Sequence, residues 1–133
     1  MREILFRGEN KTTGEWVQGD LFHYGEQAFI AANNRNAEIL PETLGQFTGL
    51  TNRNGVKIFE GDIVTGIAYS QEWVGNIIWI KEIASFGLNH GHDIAWENSS
   101  ILKRATKGIN DEFSAKIIGN IYDNPELLKG EQK

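Results

Sequence analysis

The placement of glycine is the feature that most constrains how this chain folds. Fifteen glycines are spread along 133 residues, and short runs of β-branched and aromatic residues lie between them. Such runs form strands, whereas glycine, asparagine and aspartate form the turns between strands. The spacing therefore predicts a mostly β protein of antiparallel strands. Because the length matches the commonest domain size, we expect residues 1–133 to form a single domain.

Three turns can be placed individually. Asn54–Gly55 stands between two apolar segments and is the strongest hairpin signal in the chain. Gly14 ends a polar turn in which we expect a positive φ angle. The stretch 33–36 is polar and rich in asparagine, which predicts a turn over all four residues.

The C-terminal residues predict a last strand followed by a short helix. Residues 116–122 contain three isoleucines and a tyrosine and are predicted to form the final strand, and Asn124 precedes Pro125 as a helix cap precedes a first helical residue. The end of the chain, 129–133, is polar, and we expect it to fray. Residues 86–111 show no pattern that assigns a regular element.

Composition narrows the setting and the chemistry. The chain has no cysteine, which excludes disulfides, thiolate metal sites and a cysteine nucleophile, and fits a reducing compartment. Its first residues contain no apolar run of signal-peptide or membrane-span length, so we expect a cytoplasmic protein. No cofactor is predicted. The net charge of −5 argues against broad binding to a nucleic-acid backbone.

One local basic cluster, Lys103, Arg104 and Lys107, is a candidate nucleic-acid contact despite the acidic total. On a helix these side chains would share part of one face. In a loop they would form a hydrated surface, which is the usual role of a charge run and the interpretation we favour.

The only metal-like cluster is His90, His92 and Asp93. Two histidines at i and i+2 can point to one side of a strand, and a nearby carboxylate can add an oxygen ligand. The glycine between the histidines favours a loop over a preorganised site. We therefore predict a surface loop and no metal site.

Glu60 and Asp62 form a second candidate pair, because carboxylates at i and i+2 of a strand point the same way. Paired carboxylates perform acid–base catalysis when burial separates their pKa values. The apolar residues on both sides favour a structural role instead, in which Glu60–Gly61–Asp62 is a turn whose carboxylates accept backbone N–H groups.

Aromatic residues are numerous, with four tryptophans, three tyrosines and seven phenylalanines. In a β protein most of them pack in the core. Exposed ones can anchor a protein partner or stack on nucleic-acid bases. The sequence does not say which of them are exposed.

Several segments resemble the YopX-like proteins of bacteriophages and prophages, in the same order and over nearly the whole chain. The N-terminal match is formed by Met1 to Gly8 and Gly14 to Val17. The central match is formed by Thr43 to Leu50, Asn54-Gly55, and Ile58 to Val64. The C-terminal match is formed by Ile118 to Tyr122 and Asn124 to Leu128.

The resemblance implies a mostly β fold with a small SH3-like barrel part, made in a bacterial host from phage-derived DNA. It assigns no activity and no catalytic residues. Our leading hypothesis is a non-enzymatic accessory protein that binds a host or phage macromolecule, with homo-oligomerisation as a further expectation. The alternatives are a nucleic-acid-binding β-barrel module and a hydrolase or metal-dependent enzyme.

Overall fold

The computed structural model describes residues 3–52, 54–68, 71–89 and 116–129. Regular structure in this part is mostly antiparallel β-strand, which confirms the predicted fold class. The chain divides into two compact units, residues 1–49 and 50–133. No helix among the described residues combines the length and apolarity needed to cross a membrane. The single-domain organisation stays a prediction.

The first unit is a twisted antiparallel sheet with one buried face. Its strands lie side by side in the order β4-β3-β2-β1-β5. A 3-10 turn, Pro41–Thr43, precedes β5, and the last residues of β5 belong to the second unit. The strands are β1 (Phe6–Glu9), β2 (Trp16–Tyr24), β3 (Gln27–Ala32), β4 (Arg35–Ile39) and β5 (Gly45–Thr51).

The connection between β3 and β4 is shorter than predicted. Only Asn33 and Asn34 form the turn, with φ angles of 52° and 64°, and Ala32 pairs directly with Arg35. The prediction of a turn over 33–36 is therefore wrong for Arg35 and Asn36, which form the start of β4. A turn with two left-handed residues matches the twist of a hairpin, and asparagine tolerates that conformation.

The far end of β4 is hydrogen-bonded on both sides. It pairs with β3 along its length, while the Leu40 N–H donates to the Glu9 carbonyl at 3.0 Å and the Lys11 N–H to the Glu38 carbonyl at 2.9 Å. Asn10 and Ile39 form the bridge between these two bonds. The β1–β2 connection thus meets β4 from the side opposite β3. The SH3-like barrel stays a prediction.

The second unit contains a four-stranded antiparallel sheet in the order β10-β7-β8-β9, and β6 is the neighbour of β5. Its core is a cluster of fully buried aliphatic side chains: Ile58, Val64, Ile77 and Leu88. Bulky residues of this kind favour strands because they pack well on a pleated surface. The strands are β6 (Lys57–Phe59), β7 (Asp62–Ala68), β8 (Gln71–Ile80), β9 (Ser85–Asn89) and β10 (Lys116–Asn120).

The turn between β5 and β6 confirms the predicted hairpin. Gly55 has a φ angle of 81° and donates its N–H to the Asn52 carbonyl at 2.9 Å. The buried Asn52 side chain accepts the N–H groups of Asn54 and Val56 at 2.9 and 3.0 Å. A side chain that binds its own turn in this way replaces the hydrogen bonds that a regular element would supply.

The predicted helix follows β10 as α1 (Glu126–Lys129). Asn124 does not cap it in the expected manner, because its side-chain oxygen accepts the N–H of Asn120 at 3.3 Å. The Asn120 side chain in turn accepts the N–H of Tyr122 at 3.0 Å. The two asparagines thus stabilise the turn between β10 and α1. Residues 130–133 lie outside the described part.

Candidate binding face

The carboxylate pair predicted at the β6–β7 turn has a clear structural role at one of its members. Asp62 is 1 % exposed, and its Oδ2 accepts the Phe59 N–H at 2.8 Å. Gly61 is fixed from both sides, since its N–H donates to the Ile77 carbonyl and its carbonyl accepts the Ile121 N–H, each at 2.9 Å. Glu60 is half-buried. The turn-forming role expected from the sequence is therefore present at Asp62.

The other candidates predicted from the sequence lie outside the described residues. They are the basic cluster, Lys103, Arg104 and Lys107, and the metal-like cluster, His90, His92 and Asp93. Both stay predictions. Within the described ranges, no three histidine, aspartate or glutamate residues lie close enough together to hold a metal ion.

The outward face of the first unit carries aromatic side chains. Phe22 and Phe29 are cross-strand partners on β2 and β3, and their rings stack at a centroid distance of 5.3 Å and an interplanar angle of 13°. Phe22 is 37 % exposed, and Tyr24, two residues further along β2, is 76 % exposed. Alternation places Ala28 and Ile30 on the opposite, buried face. We call Phe22, Tyr24 and Phe29 the aromatic face.

Acidic and amide side chains surround the aromatic face. Asp20 is exposed and precedes Phe22 by two residues on β2, so it points the same way. Glu38 is the cross-strand neighbour of Phe29. The Glu38 carboxylate accepts the side-chain amide of Gln27 at 3.1 Å and lies 3.4 Å from the Lys11 ammonium. The surroundings of these rings therefore combine apolar area with negative charge.

A cleft lies at the other end of the same unit, where the β1–β2 and β3–β4 turns meet. Its volume is about 530 Å³. The Trp16 ring forms part of one wall, and the Arg7 guanidinium stacks on that ring at 5.1 Å from its centroid. The lining residues are Asn10, Glu15, Trp16, Val17, Ala32, Asn33, Arg35 and Ala37. Charged, amide and apolar groups thus share one concave surface.

The second unit exposes apolar side chains at separate positions. Trp79 is 49 % exposed and contacts Phe86 edge-to-face at 5.0 Å. Val56 is 49 % exposed and Ile118 is 40 % exposed. Phe86 packs against the aliphatic core, and Trp79 contacts Phe86. Trp79 therefore lies at the exposed margin of the core-facing side of the sheet.

Sequence reasoning missed the aromatic face, although its signal is present. The sequence shows that aromatics are numerous without choosing among them. Alternation along β2 places Phe22 with Tyr24 and separates them from Leu21 and His23. The sequence does not show which face of β2 packs in the core. That face is set by the pairing of β2 with β3.

Comparison with known proteins now identifies the chain. The model of the YopX protein family matches residues 5–129, which is nearly the whole sequence. The protein belongs to the YopX family. This confirms the resemblance noted from the sequence motifs. No curated protein gives a significant match.

A solved structure similar to this YopX-family chain is protein EF1440 from Enterococcus faecalis. The two are 22 % identical, with a TM-score of 0.58, and the match covers 96 % of this chain and 99 % of EF1440. At this identity the likeness concerns the fold alone.

Proposed function

We propose that this YopX-family protein is a non-enzymatic accessory protein that binds a host or phage protein through its aromatic face. The observation that carries the proposal is the exposure of Tyr24 and Phe22 beside a stacked ring on a regular sheet. A phage or prophage origin, a cytoplasmic setting in the bacterial host, an SH3-like barrel part and homo-oligomerisation belong to the same proposal. The family resemblance supports the origin, the bacterial host and the barrel part, and the exposed aromatic residues support homo-oligomerisation.

Energetic considerations support an anchoring role for these rings. A tyrosine or phenylalanine buries about 150–250 Å² when it is covered, and burial contributes roughly 25 cal/mol per Å². The stack on Phe29 restricts the Phe22 ring, so less side-chain entropy is lost when a partner covers it. Aromatic residues with these properties dominate the binding energy of many protein interfaces.

The charge around the aromatic face favours a protein partner over nucleic acid. Asp20 and Glu38 adjoin the rings; the Glu38 carboxylate is paired with Lys11, while the exposed Asp20 carboxylate repels a phosphate backbone. A protein surface with lysine or arginine would complement them, and a cation can also pack on the exposed ring of Tyr24. The nucleic-acid alternative depends on Lys103, Arg104 and Lys107, which lie outside the described residues.

The enzyme alternative has no supporting observation among the described residues. Asp62 is buried and accepts a backbone N–H, so its carboxylate is not presented to a substrate. An acid–base pair formed with Glu60 therefore stays a prediction from the sequence.

The proposal predicts that removing either exposed ring weakens partner binding without unfolding the protein. Tyr24→Ser should keep the melting temperature, since a side chain that is 76 % exposed contributes little to packing. Phe22→Ser also loses a ring stack worth about 0.5–1.5 kcal/mol. We expect each to weaken partner binding by about tenfold or more. Affinity capture from infected and lysogenic cells, with quantitative mass spectrometry, measures the loss.

Val56→Ser is the matched control for this experiment. It also replaces an exposed apolar side chain by serine, but in the second unit. Proteins recovered by the wild type and by Val56→Ser, and lost with Tyr24→Ser, would be the partners of the aromatic face. Equal recovery with all three chains, or recovery of nucleic acid alone, would contradict the proposal.

A further inference from the structure

We infer that the cleft beside the first half of β4 binds an extended peptide segment of another protein, which adds to β4 as a further strand. The segment would carry an apolar side chain next to an acidic one. This site lies at the opposite end of β2 from Tyr24, and the inference is independent of the aromatic face.

The hydrogen bonds at the end of β4 show which of its backbone groups point away from β3. The Glu38 carbonyl and the Leu40 N–H bond the β1–β2 connection on that side. Backbone groups alternate along an antiparallel strand, and the β3–β4 register is regular throughout. Both the N–H and the carbonyl of Asn36 therefore point away from β3, toward the side on which the cleft lies.

The cleft begins where the pairing with the β1–β2 connection stops. The bridge between Asn10 and Ile39 closes one end, and beyond it the two chain segments separate. Arg35 and Ala37 of β4 line one wall, and Trp16 lines another. Among the described residues, no strand occupies the space beside Asn36. The cleft is open to solvent and has a volume of about 530 Å³.

Backbone groups next to the cleft match a polypeptide main chain, because Asn36 lies between the lining residues Arg35 and Ala37. Asn36 offers one donor and one acceptor, which is the pair that an added strand uses. Val17, Ala37 and the Trp16 ring form an apolar surface for an alternate side chain of the segment. The Arg7 stack fixes the ring, so this wall is preorganised.

Charged residues of the cleft indicate which side chains the bound segment carries and in which direction it lies. The Arg35 side chain is exposed at the entrance and favours a carboxylate on the bound segment. Glu15, on the other wall, repels an acidic residue there. The two charges therefore favour one direction of the segment along β4. The exposed edge is short, as expected for an edge that binds a peptide without promoting aggregation.

Selection of short linear peptides from a displayed random library, with the full chain as bait, tests this inference. The selected peptides should combine an apolar and an acidic residue. Asn36→Pro removes the outward N–H and suits an edge position, because that N–H makes no bond to β3. We expect it to weaken peptide binding by about tenfold or more. Asn36→Ala keeps the main-chain donor and should bind within about twofold of the wild type.

Amide hydrogen exchange in the wild-type chain gives a second readout that does not depend on the folding of Asn36→Pro. Bound peptide should slow exchange at Asn36. Tyr24→Ser should bind the peptides normally, which separates this site from the proposed function. Failure to select peptides, equal binding to Asn36→Pro, or protection of Asn36 by self-association without peptide would overturn the inference.

Discussion

Asp62→Ala is expected to lower the free energy of unfolding by about 1–3 kcal/mol, because it removes the buried side-chain oxygen that accepts the Phe59 N–H. The β6–β7 turn would lose the side chain that closes it, while the aliphatic residues before and after the turn remain. Urea unfolding followed by tryptophan fluorescence measures the change.

Two further substitutions make the Asp62 result specific. Asp62→Asn keeps a side-chain oxygen for the Phe59 N–H. Its free energy of unfolding should lie between those of Asp62→Ala and the wild type. Glu82→Ala removes an exposed carboxylate from the same unit and should change stability by less than about 0.5 kcal/mol. If Asp62→Ala were as stable as Glu82→Ala, the carboxylate would not stabilise the turn.

The second large effect is expected where β1 packs on β4. A Cβ atom added at Gly8 would overlap the side chain of Ile39, which is 1 % exposed. Gly8→Ala should therefore cost about 1–3 kcal/mol through overpacking. Ile39→Ala should cost about 2–5 kcal/mol through the cavity that it leaves. In the double variant the methyl group added at position 8 enters the cavity at position 39. The stability lost by the double variant should therefore be smaller than the sum of the two single losses by about 1 kcal/mol or more.

A double-mutant cycle measured by chemical denaturation tests this coupling. Phe22→Ala, on the opposite face of the sheet, is the control, and its effect should add to that of Gly8→Ala. Additivity of the Gly8 and Ile39 substitutions would mean that their side chains do not compete for one space.

Turn chemistry explains which parts of the fold the sequence predicts. Gly14 has the expected positive φ angle of 78°, and its N–H donates to the Asn10 carbonyl at 2.8 Å. The first half of β4 was missed because Arg35 and Asn36 are polar and exposed. An edge strand is specified by the pairing of its neighbour more than by its own residues.

The candidate sites differ in how far sequence can predict them. The Asp62 turn is local, since donor and acceptor are three residues apart, and its residue types suggest the bond. Glu15 and Arg35, twenty residues apart in sequence, line the same cleft because of the path of β2 and β3. No short sequence motif predicts that these two residues line one cleft. The aromatic face is intermediate, because alternation groups its rings but only the packed fold shows which side is open.

The close approach at Gly8 also limits how this family can vary over evolutionary time. Gly19 also has no room for a side chain, because a Cβ atom there would overlap the backbone carbonyl of Ala31. Backbone cannot be exchanged by mutation, so Gly19 has no compensating partner. Gly8 faces a side chain, and a smaller residue at position 39 would permit a larger one at position 8. We therefore expect position 19 to remain glycine among relatives, whereas positions 8 and 39 change together or not at all.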